Sequence, residues 1–174
     1  LYPERHSTMF QYVVAIYQLE EWENLEQAAT DALEKFPGDA DLVQLRGIAR
    51  FQLKKTEKAI ESYREMEKIA LAERDTALLI TSYSVLGDLH YEKKDSKGAF
   101  NYYKKALKLN PNENGVLNNY AYYLSLEGKN LKLAYEMSKK TIESEPDNPT
   151  YLDTFGWILF LMDKPLEAKA QFKH

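Results

Sequence analysis

No cysteine occurs in the 174 residues, which excludes disulfides, thiolate chemistry and every Cys-based zinc site. Histidine is nearly as scarce, with only His6, His90 and His174, so a histidine metal centre is not expected either. Positive charge is not in excess: 23 Lys+Arg against 27 Asp+Glu gives −4, the wrong sign for a phosphate backbone, and nucleic acid is not expected as a ligand. No long apolar run is present. The longest, Trp157 to Met162, falls far short of the roughly 20 residues that span a bilayer. Seven Gly and six Pro are too few for a turn-rich β chain, and the glycines are scattered singly, so no phosphate-cradling loop exists. What remains is 44% apolar and 29% charged, the composition of a soluble, folded, helical chain long enough to bury a real core.

The ends carry their own reading. Leu1-Tyr2-Pro3-Glu4-Arg5 has neither an initiator Met nor a charged-then-apolar export pattern. Lys169 to His174 stops while the helical pattern is still running, with no Gly, Asn or Pro to close it. A piece of a longer protein is expected, one from which an export signal could have been removed.

Small residues keep time along the chain. Gly47, Gly87, Ala121 and Gly156 are spaced by 40, 34 and 35, while Ala59, Ala99, Ala134 and Ala168 are spaced by 40, 35 and 34. Pro37, Pro111 and Pro146 follow the same period. Two series that share their irregularities define a 34-residue unit. Its insertions follow from the excess: six residues after Tyr63, and one within Gly128-Lys129-Asn130. Inside a unit, Tyr83, Leu86, Gly87 and His90 form one helical stripe, and Ala99, Tyr102, Tyr103, Ala106 and Leu107 form a second. Lys93-Lys94-Asp95 separates them and Pro111 closes the unit. Gly87 and Ala99 are small enough for two backbones to approach, with Leu86 and Tyr103 filling the flanks. One such hairpin cannot bury both of its faces, so it must stack on neighbours.

These residues resemble the tetratricopeptide repeat (TPR). From Tyr83 to Pro111 the family's pattern of large, Leu, Gly, aromatic, Ala, aromatic, Ala and Pro is met at seven of eight places, His90 being the exception. The resemblance implies an all-α, right-handed α-solenoid of stacked antiparallel helix pairs. Continued in register, it implies a single array with units at 6–39, 40–79, 80–113, 114–148 and 149–174, the last incomplete. The first unit departs at Val13 and Leu25, and the second at Arg46, Arg50 and Leu71, where apolar residues or Pro are usual. The six extra residues are expected to lengthen the second unit's second helix, with a turn at Glu73-Arg74-Asp75. The closing units look like those of bacterial TPR proteins, many of them exported or lipid-anchored, which leans the expected compartment toward the periplasm or outer membrane.

No catalytic constellation is legible. A hydrolase needs a nucleophile, a base and an oxyanion site in fixed geometry. His6 and His174 lie near the ends, and His90 falls on an apolar stripe as a packed histidine. Acidic pairs such as Glu20-Glu21 read as solvated helix surface, and the Lys-Lys pairs at 54–55, 93–94, 104–105 and 139–140 read as solubilising charge near helix ends. The chain is expected to be no enzyme and to need no cofactor or metal.

Function is therefore expected on the concave face that the family lines with the first helix of each unit. Carried over, the principal positions are Gln44, Ile48 and Phe51, then Ser84, Asp88 and Tyr91, then Asn118, Asn119 and Tyr122, and finally Trp157, with Asp153, Thr154 and Phe160 beside it. None is Lys or Arg. TPR domains that hold the acidic tails of heat-shock chaperones use a Lys/Asn/Asn/Lys/Arg clamp. The aligned places here are Gln44, Ile48, Val85, Gly115 and Asn119, or one unit later Ser84, Asp88, Asn119, Thr150 and Thr154. Neither set neutralises a carboxylate, so chaperone tails are not the expected partner. An aromatic-rich groove is expected instead, with side-chain amides for an extended peptide backbone and with Tyr91, Tyr122 and Trp157 as large contacts.

The run Trp157 to Met162 is apolar all round and calls for cover on more than one side. A further repeat is the first candidate for that cover and self-association through 157–162 the second. The expected function is a protein–protein interaction scaffold. Its rivals are a structural spacer or self-association module without a peptide ligand, and a regulatory domain that gates a separate catalytic module.

Overall fold

The computed structural model describes residues 3–171, and among these every regular element is an α-helix. They divide into two compact units, residues 1–94 and 95–174. The first holds α1 (Pro3–Gln18), α2 (Trp22–Lys35), α3 (Ala40–Gln52), α4 (Thr56–Glu73) and α5 (Thr76–Glu92), each packed against the next. The second holds α6 (Ser96–Leu109), α7 (Asn114–Leu126), α8 (Leu131–Ser144), α9 (Pro149–Leu161) and α10 (Pro165–Gln171) in the same sequential packing.

The turns explain how a chain so poor in glycine punctuates the ten helices of its described residues. Several helices close by the same six-residue bond: Lys55 N donates to Arg50 O at 2.8 Å, Asp75 N to Ala70 O at 2.9 Å, Lys129 N to Leu124 O at 3.2 Å and Lys164 N to Leu159 O at 3.0 Å. The residue before each donor is left-handed: Lys54, Arg74, Gly128 and Asp163. This is the Schellman closure that usually employs glycine. Here three of the four are non-glycine residues, held by the packing on either side. Three helices start on a capping aspartate. Asp39, Asp75 and Asp95 accept from Leu42 N, Leu78 N and Gly98 N at 3.0, 2.9 and 2.9 Å, satisfying orphan donors of α3, α5 and α6. The insertion lengthens α4, which has 18 residues against 14 in α2, and also α5, which has 17 against 13 in α3; the turn between them falls at Arg74 and Asp75.

In the first unit Val13, Leu25, Leu42, Val43, Met66, Leu86 and Leu89 are fully buried. Gly47 of α3 is small because Tyr63 of α4 lies across it. A Cβ there would stand 2.8 Å from Tyr63 Cε2 and 3.3 Å from Ser62 Cβ. Gly47→Ala is therefore expected to destabilise by about 1–3 kcal/mol through overpacking, outweighing the helix propensity gained. Urea unfolding would measure it, and an unchanged midpoint would contradict the close approach.

The two arginines at usually apolar places are satisfied by a polar seam. Arg50 Nε donates to Glu26 Oε1 at 3.1 Å, and its Nη1 to Ser62 Oγ and Lys58 O at 3.0 and 3.1 Å. Arg46 Nη2 donates to Glu65 Oε2 at 2.5 Å, and Lys55 Nζ to Glu26 Oε2 at 2.6 Å. Burial pushes the Glu26 carboxyl up, but the hydrogen bonds from Lys55 and Arg50 outweigh it and hold the group below its ordinary value. A depressed folded value means the contribution is complete above the unfolded value and lost as pH falls through the folded one. Stability is thus expected to drop on acidification below the ordinary glutamate range. Glu26→Gln should flatten that part of the pH profile, as read by urea unfolding at neutral and acid pH.

His6, expected near a frayed end, is instead tied down: its Nε2 lies 2.5 Å from Asp39 Oδ2, and its ring meets Phe36 edge-on at 4.7 Å. His90 is half-buried on α5. His174 lies outside the described residues.

Apolar clusters hold the second unit together. In one, Tyr103 of α6 is fully buried and stacks with Tyr120 and Tyr123 of α7, centroids 5.5 and 6.1 Å apart, while Phe100 meets Tyr120 at 5.2 Å. In another, Phe155 and Leu159 of α9 pack with Ala168 of α10 and with Tyr135 and Ile142 of α8. The cover that α9 calls for is thus supplied on that side by α8 and α10.

Candidate functional site

The ten expected site residues lie on four helices. Gln44, Ile48 and Phe51 stand at i, i+4 and i+7 on α3, and Ser84, Asp88 and Tyr91 repeat that spacing on α5. Of these six, Phe51 is the exposed one; the other five are half-buried. Lys54 Nζ sits 5.3 Å from the Phe51 ring centroid, so the ring already carries a cation of its own chain. Asp88 faces inward enough to act on Tyr63. Burial, with Tyr17 and Asp88 adding to it, pushes the Tyr63 hydroxyl up to about 12.

Asn118 does not stand on the surface. It is 4% exposed, its Oδ1 is buried without a hydrogen-bond partner, and its Nδ2 lies 3.4 Å from Asn119 Oδ1. The reason is helical phase: Asn118 sits between buried Leu117 and Ala121 on the packed side of α7, whereas Tyr122 is exposed. The free side-chain amide expected at Asn118 is thereby corrected; its neighbour Asn119 is half-buried.

Tyr122 and Trp157 are brought together. Helices α7 and α9 pack directly, and the two rings line one open cavity of about 380 Å³ with Leu126, Asp153 and Thr154. Tyr122 is 39% and Trp157 37% exposed. Trp157 stacks on Phe160, centroids 6.0 Å apart and planes at 28°, and Phe160 is itself 57% exposed. Ser125 donates to the Tyr122 carbonyl at 2.6 Å, and Tyr123 backs the Tyr122 ring at 5.4 Å. Leu126 was missed in the sequence, although it stands one turn after Tyr122 on the same side of α7.

Around the start of α9 lies a polar knot. Asn114 Nδ2 donates to Ser144 Oγ and Glu145 Oε1, both at 2.9 Å, and Asn148 Nδ2 donates to Glu145 Oε2 at 3.0 Å. The hydrogen bonds from Asn148 and Asn114 hold the Glu145 carboxyl below its ordinary value. Burial, then the charges of Glu145 and Glu113, raise the Tyr151 hydroxyl. These groups fix the α7–α8–α9 corner that sets the cavity walls.

No group of three or more His, Cys, Asp or Glu suited to a metal ion occurs among the described residues, and no described helix is long and apolar enough to cross a membrane. Residues 81–113 match the family model of the tetratricopeptide repeat. That segment carries a tetratricopeptide repeat.

Solved TPR-type structures superpose over almost the whole chain. A MamA structure aligns with TM-score 0.75 at 17% identity, covering 99% of this chain and 90% of the other. MamA from residue 41 of Desulfovibrio magneticus aligns at 0.75 and 13%, covering 97% and 91%. YrrB, described as a TPR protein with an unusual peptide-binding site, aligns at 0.66 and 16%, covering 95% and 81%. At these identities the likeness establishes the helical-repeat fold and nothing finer. No curated protein matches the sequence.

Proposed function

We propose that this TPR chain is a non-enzymatic scaffold that holds a protein or an extended peptide in the groove expected of its fold, and that it is of bacterial origin. The observation that carries the reading is the cavity between α7 and α9. Two large aromatic rings, Tyr122 and Trp157, stand partly exposed over an open space with Asn119 one turn away. Exposed aromatics clustered in a concave site are the composition of interaction hot spots. Likeness to YrrB, whose peptide-binding site is part of its description, supports a peptide ligand without identifying one. On α3 and α5, Gln44, Ile48, Phe51, Ser84, Asp88 and Tyr91 extend the proposed contact.

The second reading is self-association, and it rests on Phe160 and Trp157 standing exposed side by side on α9. One experiment separates them. The immobilised chain and its Asn119→Ala/Tyr122→Ala variant are offered lysate of the source cell. Proteins retained by the first and lost by the second support the scaffold. Equal retention by both would sink the groove, and retention of the chain alone would favour the spacer.

A further inference from the structure

We propose that the α7–α9 cavity accepts an arginine side chain of the bound peptide, its guanidinium stacked on Trp157 and forked to Asp153. This rests on the scaffold reading and names the chemistry its site selects. The lining holds one charged group, Asp153, against the rings of Tyr122 and Trp157 and the side chains of Leu126 and Thr154. Asp153 is exposed, one turn before Trp157 on α9, and no hydrogen bond or ion pair engages its carboxylate among the described residues.

Lysines in the turns that follow α7 and α9 are committed elsewhere. Lys129 pairs with Glu127 at 2.7 Å, and Lys164 pairs with Glu167 at 3.1 Å while lying 5.7 Å from the Tyr135 ring centroid. Helix stability does not account for Asp153 either. It is the fifth residue of α9, beyond the first turn in which the macrodipole favours an acid.

The occupant follows from complementarity. An apolar side chain would desolvate the carboxylate without pairing it, and an acidic one would be repelled. A cation gains both the ring faces and the carboxylate. Among cations the planar guanidinium suits the site better than an ammonium, since it can stack and donate two parallel hydrogen bonds at once. Phe160 stacks on Trp157 and adds a further exposed ring.

The test uses the full chain carrying Trp22→Phe, which leaves Trp157 as the sole indole, and follows its fluorescence on titration. The probes are acetyl-Gly-Arg-Gly-amide, its Lys and Glu counterparts, and the citrulline tripeptide, which keeps the shape of arginine but not its charge. The expected result is a saturable change with the Arg peptide, weaker with Lys, at least about tenfold weaker with citrulline, and diminished by salt. Asp153→Asn should remove the preference for Arg over citrulline while circular dichroism stays unchanged.

Equal response to Arg and citrulline, an Arg preference that survives Asp153→Asn, or no response to Arg at tens of millimolar would overturn the proposal. Sedimentation of the chain and of Asp153→Asn is run alongside. A dimer that Asp153→Asn dissociates would make the occupant a second copy and overturn the peptide assignment. Lysate partners captured through Tyr122 but indifferent to Asp153→Asn would leave the scaffold standing and the arginine pocket refuted. Absence of any lysate partner whose capture depends on Tyr122, with arginine selectivity intact, would refute the scaffold alone.

Discussion

Tyr103→Ala is expected to lower the unfolding free energy by about 3–5 kcal/mol, the range for deleting a fully buried aromatic ring. Tyr103 has no solvent exposure, and it stacks against Tyr120 at 27° and Tyr123 at 16°. Removing the ring forfeits its burial and leaves two aromatic neighbours without their partner, in a corner where α6 and α7 cannot easily collapse. Tyr103→Phe, which keeps the stack and deletes one hydroxyl, should cost no more than about 1.5 kcal/mol. Because repeat arrays can unfold in parts, the measurement should pair circular dichroism with Trp157 fluorescence in the Trp22→Phe background, which reports on the second unit. A loss under about 1 kcal/mol would mean that the stack is not what holds α6 to α7.

The second large effect is on binding. Asn119→Ala with Tyr122→Ala is expected to weaken a captured partner by about 2–4 kcal/mol, or about 30-fold to several hundred-fold in Kd. Most of this is assigned to Tyr122, whose ring forms one wall of the α7–α9 cavity; Asn119 contributes one hydrogen-bonding amide. Both stand outside the fully buried set, so helicity should persist in the variant. Tyr122 does touch Tyr123, and through it the Tyr103 stack, so unfolding must be measured on the same sample. Calorimetry or fluorescence titration with the purified partner gives the number. Undiminished affinity with intact fold would place the partner elsewhere on the chain.

The polar seam of the first unit shows why the repeat tolerates departures from its pattern. Arg46 and Arg50 read as misfits in the sequence, because each stands where an apolar side chain is usual. Their partners Glu26, Ser62 and Glu65 come from α2 and α4, 12 to 24 residues away. No local pattern links an arginine to a serine on another helix. Buried Ser62 is unremarkable by composition, yet it gives Arg50 an acceptor where an apolar residue would leave a charge unpaired.

The sequence alone determined the all-helical class, the helix-and-turn rhythm, the extension of α4 to its turn at Arg74 and the absence of cysteine chemistry. Each is a one-dimensional property: spacing of small residues, helical stripes, polar breaks and residue counts. It also singled out Tyr122 and Trp157 through resemblance to the family, because register along a repeat carries over even at low identity. Tertiary structure alone decided that those two share a cavity, that Asp153 beside them meets no partner among the described residues, and that Asn118 is packed inside while Asn119 is half-buried. Adjacent residues on a helix are about 100° apart, so two neighbouring asparagines meet the surrounding packing differently. Which one turns inward depends on where α7 meets its neighbours, and that is settled only once the helices are packed.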